Sequence, residues 1–220
     1  MDRIILYHGS ERIIEKPLFG KKSYNSDYGD AFYCTTELYS AKEWANKRTT
    51  NGVVNKYSFD GRGLKILDLT DLSKWSPLHW FAILIHNREL EPSFIADHPR
   101  ELEYLEKYYN ELCVEEYDVI IGYRADDSYF TFPLYVINGD IRLERIESVI
   151  KLGFLGKQVA IVSKKAFGRL SFVKHLSVEP IYYEKYQNRV NSAKSKLLEI
   201  VRDERYKTGT RLNELVRNND

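Results

Sequence analysis

The chain has 220 residues, 43% of them hydrophobic and 30% charged, which suits one packed domain with an appendage better than two full domains. Lys plus Arg number 33 and Asp plus Glu 32, so bulk electrostatic attraction to nucleic acid is excluded, while a local basic groove is not. Two cysteines, Cys34 and Cys113, exclude a disulfide framework, and no CxxC or Cys/His cluster has zinc spacing, so no metal is expected. The opening MDRIILYHGS has too short an apolar run for a signal peptide, and no stretch approaches about 18 apolar residues, so a soluble cytoplasmic protein without a membrane partner is expected.

In chain order, Arg3 to His8 is a short apolar strand ending in Gly9-Ser10, and a turn-rich segment runs from Lys16 to Asp30. Ala31 to Thr36 has the aromatic and Thr content of a strand. Glu37 to Arg48 sets Leu38, Ala41, Trp44 and Ala45 on one helical face. Val53 to Phe59 alternates apolar and polar, and Leu64 to Leu69 is a further strand. Ser76-Pro77 is an N-cap followed by proline at the first helical position, and Asp97 to Leu112 repeats that design around Pro99. Val119 to Gly122 is a short buried strand opening into a loop from Arg124 to Ser128. Phe130 to Leu152 reads as two helices broken at Asn138-Gly139, and Val159–Val162 and Leu170–Leu176 as strands. From about Tyr182 the chain is polar and helical, with apolar residues at Tyr186, Val190, Ala193, Leu197 and Val201. The expected division is a domain over 1–180 and a helical extension over 181–220.

Three clusters carry chemistry. In Tyr7-His8-Gly9-Ser10, His8 is suited to bonding a ribose hydroxyl, and Gly9, lacking Cβ, lets a flat amide approach the backbone; the plain alternative is a strand end before an ordinary turn. In Gly29-Asp30-Ala31-Phe32-Tyr33, Tyr33 is suited to stack on an aromatic ligand, with Trp44 as the opposite wall or simply as core packing. Two rings around a flat cation supply about 1–3 kcal/mol. In Asp126-Asp127, one carboxylate is placed to act as a base or to supply negative charge, or Asp127 or Ser128 caps the next helix. Cys34, next to Tyr33, is expected to point away from the pocket; His79 and His86, seven apart, lack the spacing of a helical metal pair, His98 sits before Pro99 at a helix start, and His175 in a late strand is expected to be structural.

The order His-Gly-Ser, then Gly-x-x-Phe-Tyr-x-Thr, then a Ser-Ala-bearing helix with an aromatic resembles the His-Tyr-Glu branch of the ADP-ribosyltransferases. It is closest to an uncharacterised bacterial, toxin-like family in that superfamily, marked by YHGS, an Asp-Tyr-Gly turn before Phe-Tyr-x-Thr, Ala-Asp-Asp-Ser-Tyr-Phe (Ala125 to Phe130) and Gly-x-Gln (Gly156 to Gln158). The resemblance spans about residues 3–175. It implies an α+β fold with a split mixed or antiparallel β-sheet of ADP-ribosyltransferase type, flanking helices and a long C-terminal helix. It implies catalytic roles for His8, Tyr33 and Gln158, with Asp126 the best acidic candidate. NAD, as substrate, would meet Gly9, Ser10, Tyr28 and Gly29, then Phe32, Thr35 and Trp44. Gln158 departs from the Glu of many active transferases: an amide makes the hydrogen bond to the ribose 2′-hydroxyl but brings no charge. The activity implied is mono-ADP-ribosyl transfer to a protein or nucleic acid with release of nicotinamide, restrained by a small antitoxin or inhibitor protein. The alternatives are a catalytically weak NAD- or ADP-ribose-binding or partner-binding module, and an NAD glycohydrolase.

Overall fold

The computed structural model describes residues 1–20, 26–48, 50–125, 131–152, 156–203 and 207–218. The fold is mixed α+β, with two sheets and a long helix near the C-terminus. The first sheet is antiparallel, in the order β1 (Arg3–Ser10), β3 (Val53–Asp60), β7 (Leu170–Ser177). The second has the order β2 (Phe32–Cys34), β6 (Lys157–Ile161), β5 (Val119–Tyr123), β4 (Ile66–Asp68), antiparallel except for the β4–β5 pair. The sheets meet at one bridge, where Tyr7 and Thr35 exchange N–H···O bonds of 2.8 and 2.9 Å.

Side-chain alternation in the strands sorts the core into layers. Leu6 and Phe59 of the first sheet pack on Cys34, Val119, Val159 and Ile161 of the second. The other face of the first sheet carries Val54 against Ala41 and Ala45 of α1 (Leu38–Ala45). The other face of the second sheet carries Ile120 and Ala160 into the largest cluster, with α2 (Pro77–His86), a short α3 (Pro92–Asp97) beside it, and α4 (Pro99–Glu111). His98 separates α3 from α4 with φ −130° and ψ 42°, because a residue before proline is disfavoured in the helical region. At the start of α2 the ring Nδ1 of His79 accepts the Ser76 N–H at 3.1 Å.

After α5 (Thr131–Ile137), Gly139 turns the chain at φ +79°, which favours glycine. Then come α6 (Ile146–Ile150) and a single-turn α7 (Lys164–Phe167) that the sequence pattern does not announce. The segment expected as an extension forms α8 (Ile181–Arg202) and α9 (Leu212–Asn218). Its apolar positions do not stand apart, since Ala193, Leu197, Leu212 and Val216 are buried in the largest cluster. No described helix is long and apolar enough to cross a membrane.

Candidate functional site

A cleft of about 810 Å³ opens where the two sheets diverge beyond the Tyr7–Thr35 bridge. His8 and Gly9 of β1, Phe32 and Tyr33 of β2, and Gln158 of β6 all line it. His8 and Gln158 stand far apart in the sequence, and the expectation that His8, Tyr33 and Gln158 converge on one cleft is met. Gln158 belongs to β6 itself rather than to the turn before it, because the strand starts two residues earlier than its apolar run.

His8 is held by its surroundings. Its ring stacks on Phe32 with centroids 4.5 Å apart and planes at 28°. Its Nδ1 lies 2.6 Å from the Tyr33 carbonyl oxygen. A carbonyl only accepts, so Nδ1 carries the proton. Gly9 is a glycine for a reason the sequence does not reveal: a Cβ there would meet the Ala41 carbonyl oxygen at 2.2 Å and the Ala45 nitrogen at 2.6 Å. The missing side chain lets α1 cross β1 closely. The Gly9 peptide groups point to the same side of the strand as those of Tyr7, towards the diverging sheets, since alternate residues of a strand share their hydrogen-bonding edge.

Tyr33 donates its hydroxyl to the Gly29 carbonyl at 2.7 Å and accepts the Tyr28 N–H at 3.0 Å. Burial pushes that hydroxyl well above the ordinary tyrosine range, so Tyr33 offers the cleft a tethered ring and no base. Cys34 alternates with Tyr33 on β2 and packs on Leu6 and Val159, yet, contrary to expectation, it too is among the residues lining the cleft, and burial pushes its thiol up. A thiol held protonated is no nucleophile at neutral pH. Thr35 spends its hydroxyl on the fold, donating to the Lys157 carbonyl at 3.0 Å and accepting the Glu37 N–H at 3.1 Å before α1.

Three expected contacts are not among the residues lining the cleft. Ser10, Tyr28 and Gly29 serve the cleft from behind instead of lining it. The Ser10 hydroxyl accepts from Asn55 Nδ2 at 2.9 Å, and the Gly29 carbonyl accepts from Tyr33 and Ser26. Tyr28 is buried, donating to the Tyr123 carbonyl at 2.6 Å and accepting from Trp80 Nε1 at 2.8 Å. Its hydroxyl fills the space a Cβ on Gly122 would need, at 2.0 Å. Trp44 does line the cleft, but it is no bare wall: the Arg124 guanidinium lies 3.5 Å from its ring centroid and Lys47 Nζ 4.3 Å. Asp126, with Asp127 and Ser128, lies outside the described residues.

The buried carboxylate that the structure brings to the cleft is Asp27, 5% exposed. It pairs with Arg88 through Oδ1, while Oδ2 accepts from Gln158 Nε2 and, at 3.0 Å, from the Ala125 N–H. Burial raises the Asp27 carboxyl from its ordinary value, against the pull of Arg88 and the other donors. In the sequence Asp27 is visible only as part of a turn, and Arg88, just past the end of α2, gives no signal. Asn55 gives little more. Its Nδ2 donates to the Arg12 carbonyl at 3.2 Å and its Oδ1 accepts the Ile14 N–H at 2.8 Å, while Tyr57 donates to the Ile14 carbonyl. These bonds pin the 12–18 loop along the cleft. A polar residue at an inward phase of an alternating strand is the available clue.

The cleft is more basic than the chain. Arg12, Lys16, Arg88, Arg124 and Lys157 line it against Glu15 and Asp27, five cations to two carboxylates, where the chain as a whole is balanced at 33 to 32. Such a lining suits an anionic ligand.

An α+β protein with two diverging sheets around a cationic, aromatic-walled cleft is the class these elements define. Residues 4–172 match the family model described as protein of unknown function (DUF3990), and the chain belongs to that family. The matched segment includes every residue lining the cleft and ends within β7, before α8. No curated protein and no solved structure matches the chain.

Proposed function

We propose that the cleft binds NAD and that the protein is a mono-ADP-ribosyltransferase of the toxin type, acting on a protein or nucleic acid. The observation that carries the proposal is the meeting of His8, Tyr33 and Gln158 in one cleft lined by five cations. Its volume falls in the range of small-molecule sites, about 300–1,000 Å³. The cations would take the pyrophosphate, the Tyr33 ring the nicotinamide, the Gly9 peptide edge the carboxamide, and His8 and Gln158 the ribose hydroxyls. In the reaction the bond between ribose C1′ and the nicotinamide nitrogen breaks, its electron pair leaving with nicotinamide. The acceptor nucleophile bonds to C1′ and gives up its proton. Holding the ribose and acceptor in line contributes by orientation alone. The cytoplasm is the proposed setting, with an inhibitory protein partner restraining the activity.

A second reading, a module that binds NAD or ADP-ribose without efficient turnover, is favoured by the amide at Gln158. Incubating the protein with NAD labelled in the ADP-ribose moiety and a cell lysate separates the two. Label on protein or nucleic acid supports transfer. Tight binding without consumption supports the module, nicotinamide release without labelled acceptor indicates a glycohydrolase, and neither binding nor consumption refutes all three.

A further inference from the structure

The surroundings of Gln158 determine which end of its amide can serve a ligand. Asp27, as a carboxylate, only accepts hydrogen bonds. Its Oδ1 is taken by Arg88, and its Oδ2 receives the Ala125 N–H together with the Gln158 side chain. Gln158 must therefore turn its NH₂ end to Asp27. Gln158, 7% exposed, lines the cleft beside Asp27. What remains for the cleft is the carbonyl oxygen, Oε1.

We propose that Asp27, clamped by Arg88, is a positioning residue that locks Gln158 as a hydrogen-bond acceptor for a ligand hydroxyl, namely the 2′-hydroxyl of a ribose. The ligand class rests on the NAD reading above; the locked amide does not. Gln158 then presents the same acceptor oxygen that a glutamate would, while the negative charge sits one residue further back, on Asp27. Without that carboxylate the amide is free to rotate by half a turn and offer a donor instead. An amide that is no longer held keeps neither end towards the hydroxyl, so the loss falls on selectivity for the hydroxyl rather than on binding as such.

The test is calorimetric binding of NAD and of 2′-deoxy-NAD to the full-length protein and to Asp27→Asn. Because Asp27→Asn removes the charge that balances a buried guanidinium, the double variant Asp27→Asn/Arg88→Met is measured beside it, so that a folded protein without the clamp is at hand. The wild type is expected to favour NAD about tenfold, equivalent to about 1.4 kcal/mol, and both variants to bring the ratio close to one while keeping affinity for 2′-deoxy-NAD. Equal binding of the two nucleotides by the wild type, or an unchanged preference in the folded variants, overturns the proposal. If the wild type binds neither nucleotide, the NAD reading fails and the side-chain amide protons of Gln158, followed by NMR, decide the rest. Two resolved, slowly exchanging protons in the wild type that exchange rapidly in the variants uphold the lock; rapid exchange in the wild type overturns it.

Discussion

At the scale of single residues, the cleft is built by groups whose hydrogen-bonding choices are already made. His8 Nδ1 is committed to the Tyr33 carbonyl, the Tyr33 hydroxyl to Gly29, and the Gln158 amide to Asp27. Gly9 has the clearest measurable consequence. A methyl group there would lie 2.2 Å from the Ala41 carbonyl oxygen and 2.6 Å from the Ala45 nitrogen, both backbone atoms that cannot rotate away. Gly9→Ala is expected to cost about 1–3 kcal/mol, the usual range for overpacking, read as a lower midpoint in urea unfolding. An unchanged midpoint would mean that α1 does not approach β1 this closely. His8, Gly9 and Tyr33 were legible in the sequence because each stands in or beside a short strand with a recognisable neighbour, and Gln158 only through the resemblance. Asp27 and Arg88 were not, because their pairing joins a turn to the end of a helix 61 residues later, and nothing local encodes it.

At the scale of elements, the second sheet depends on a polar junction at its end. Asp118 accepts from Ser163 Oγ at 2.6 Å, the Lys65 N–H at 2.9 Å and Lys165 Nζ at 3.3 Å, tying the approaches to β4, β5 and α7 together. These donors lower the Asp118 carboxyl below its ordinary value of 3.8. A carboxyl depressed in the folded state contributes stability above its unfolded pKa, and loses it as pH falls through the folded one. Unfolding free energies of wild type and Asp118→Asn should therefore differ at neutral pH and begin to converge as pH falls below about 3.8, meeting below the depressed folded pKa. A difference that stays constant across that range would contradict the account. Most strands were legible from alternation. The single-turn α7 and the two outer residues of β6 were not, since four or five residues carry too little periodicity to separate helix, strand and turn.

At the scale of the whole molecule, one core serves both the cleft-bearing part and the C-terminal helices. Glu43 on α1, 2% exposed, pairs with Arg189 on α8 at 2.6 Å. Leu197 and Leu212 are 2% and 0% exposed within the cluster that also holds Trp80 and Ile120. The polar composition after residue 181 suggested an appendage, because a helix that buries one narrow stripe shows mostly its solvated faces in sequence. Leu197→Ala is expected to cost about 2–5 kcal/mol and to leave a single unfolding transition by both circular dichroism and tryptophan fluorescence. Two separated transitions would instead mark 181–220 as an independent unit. The split arrangement of the sheets was legible only through the resemblance; periodicity gives strands, not which distant strands pair, as Tyr33 and Ala160 do.

The central claim, that the cleft between the diverging sheets is a site for NAD, is tested most directly by titrating the isotopically labelled protein with NAD and following amide chemical shifts. The account predicts saturable shifts at Gly9, Phe32, Tyr33 and the Gln158 side chain, with Val173 on β7 and Glu103 on α4 unmoved. No saturable shift, or one centred away from those residues, would contradict it.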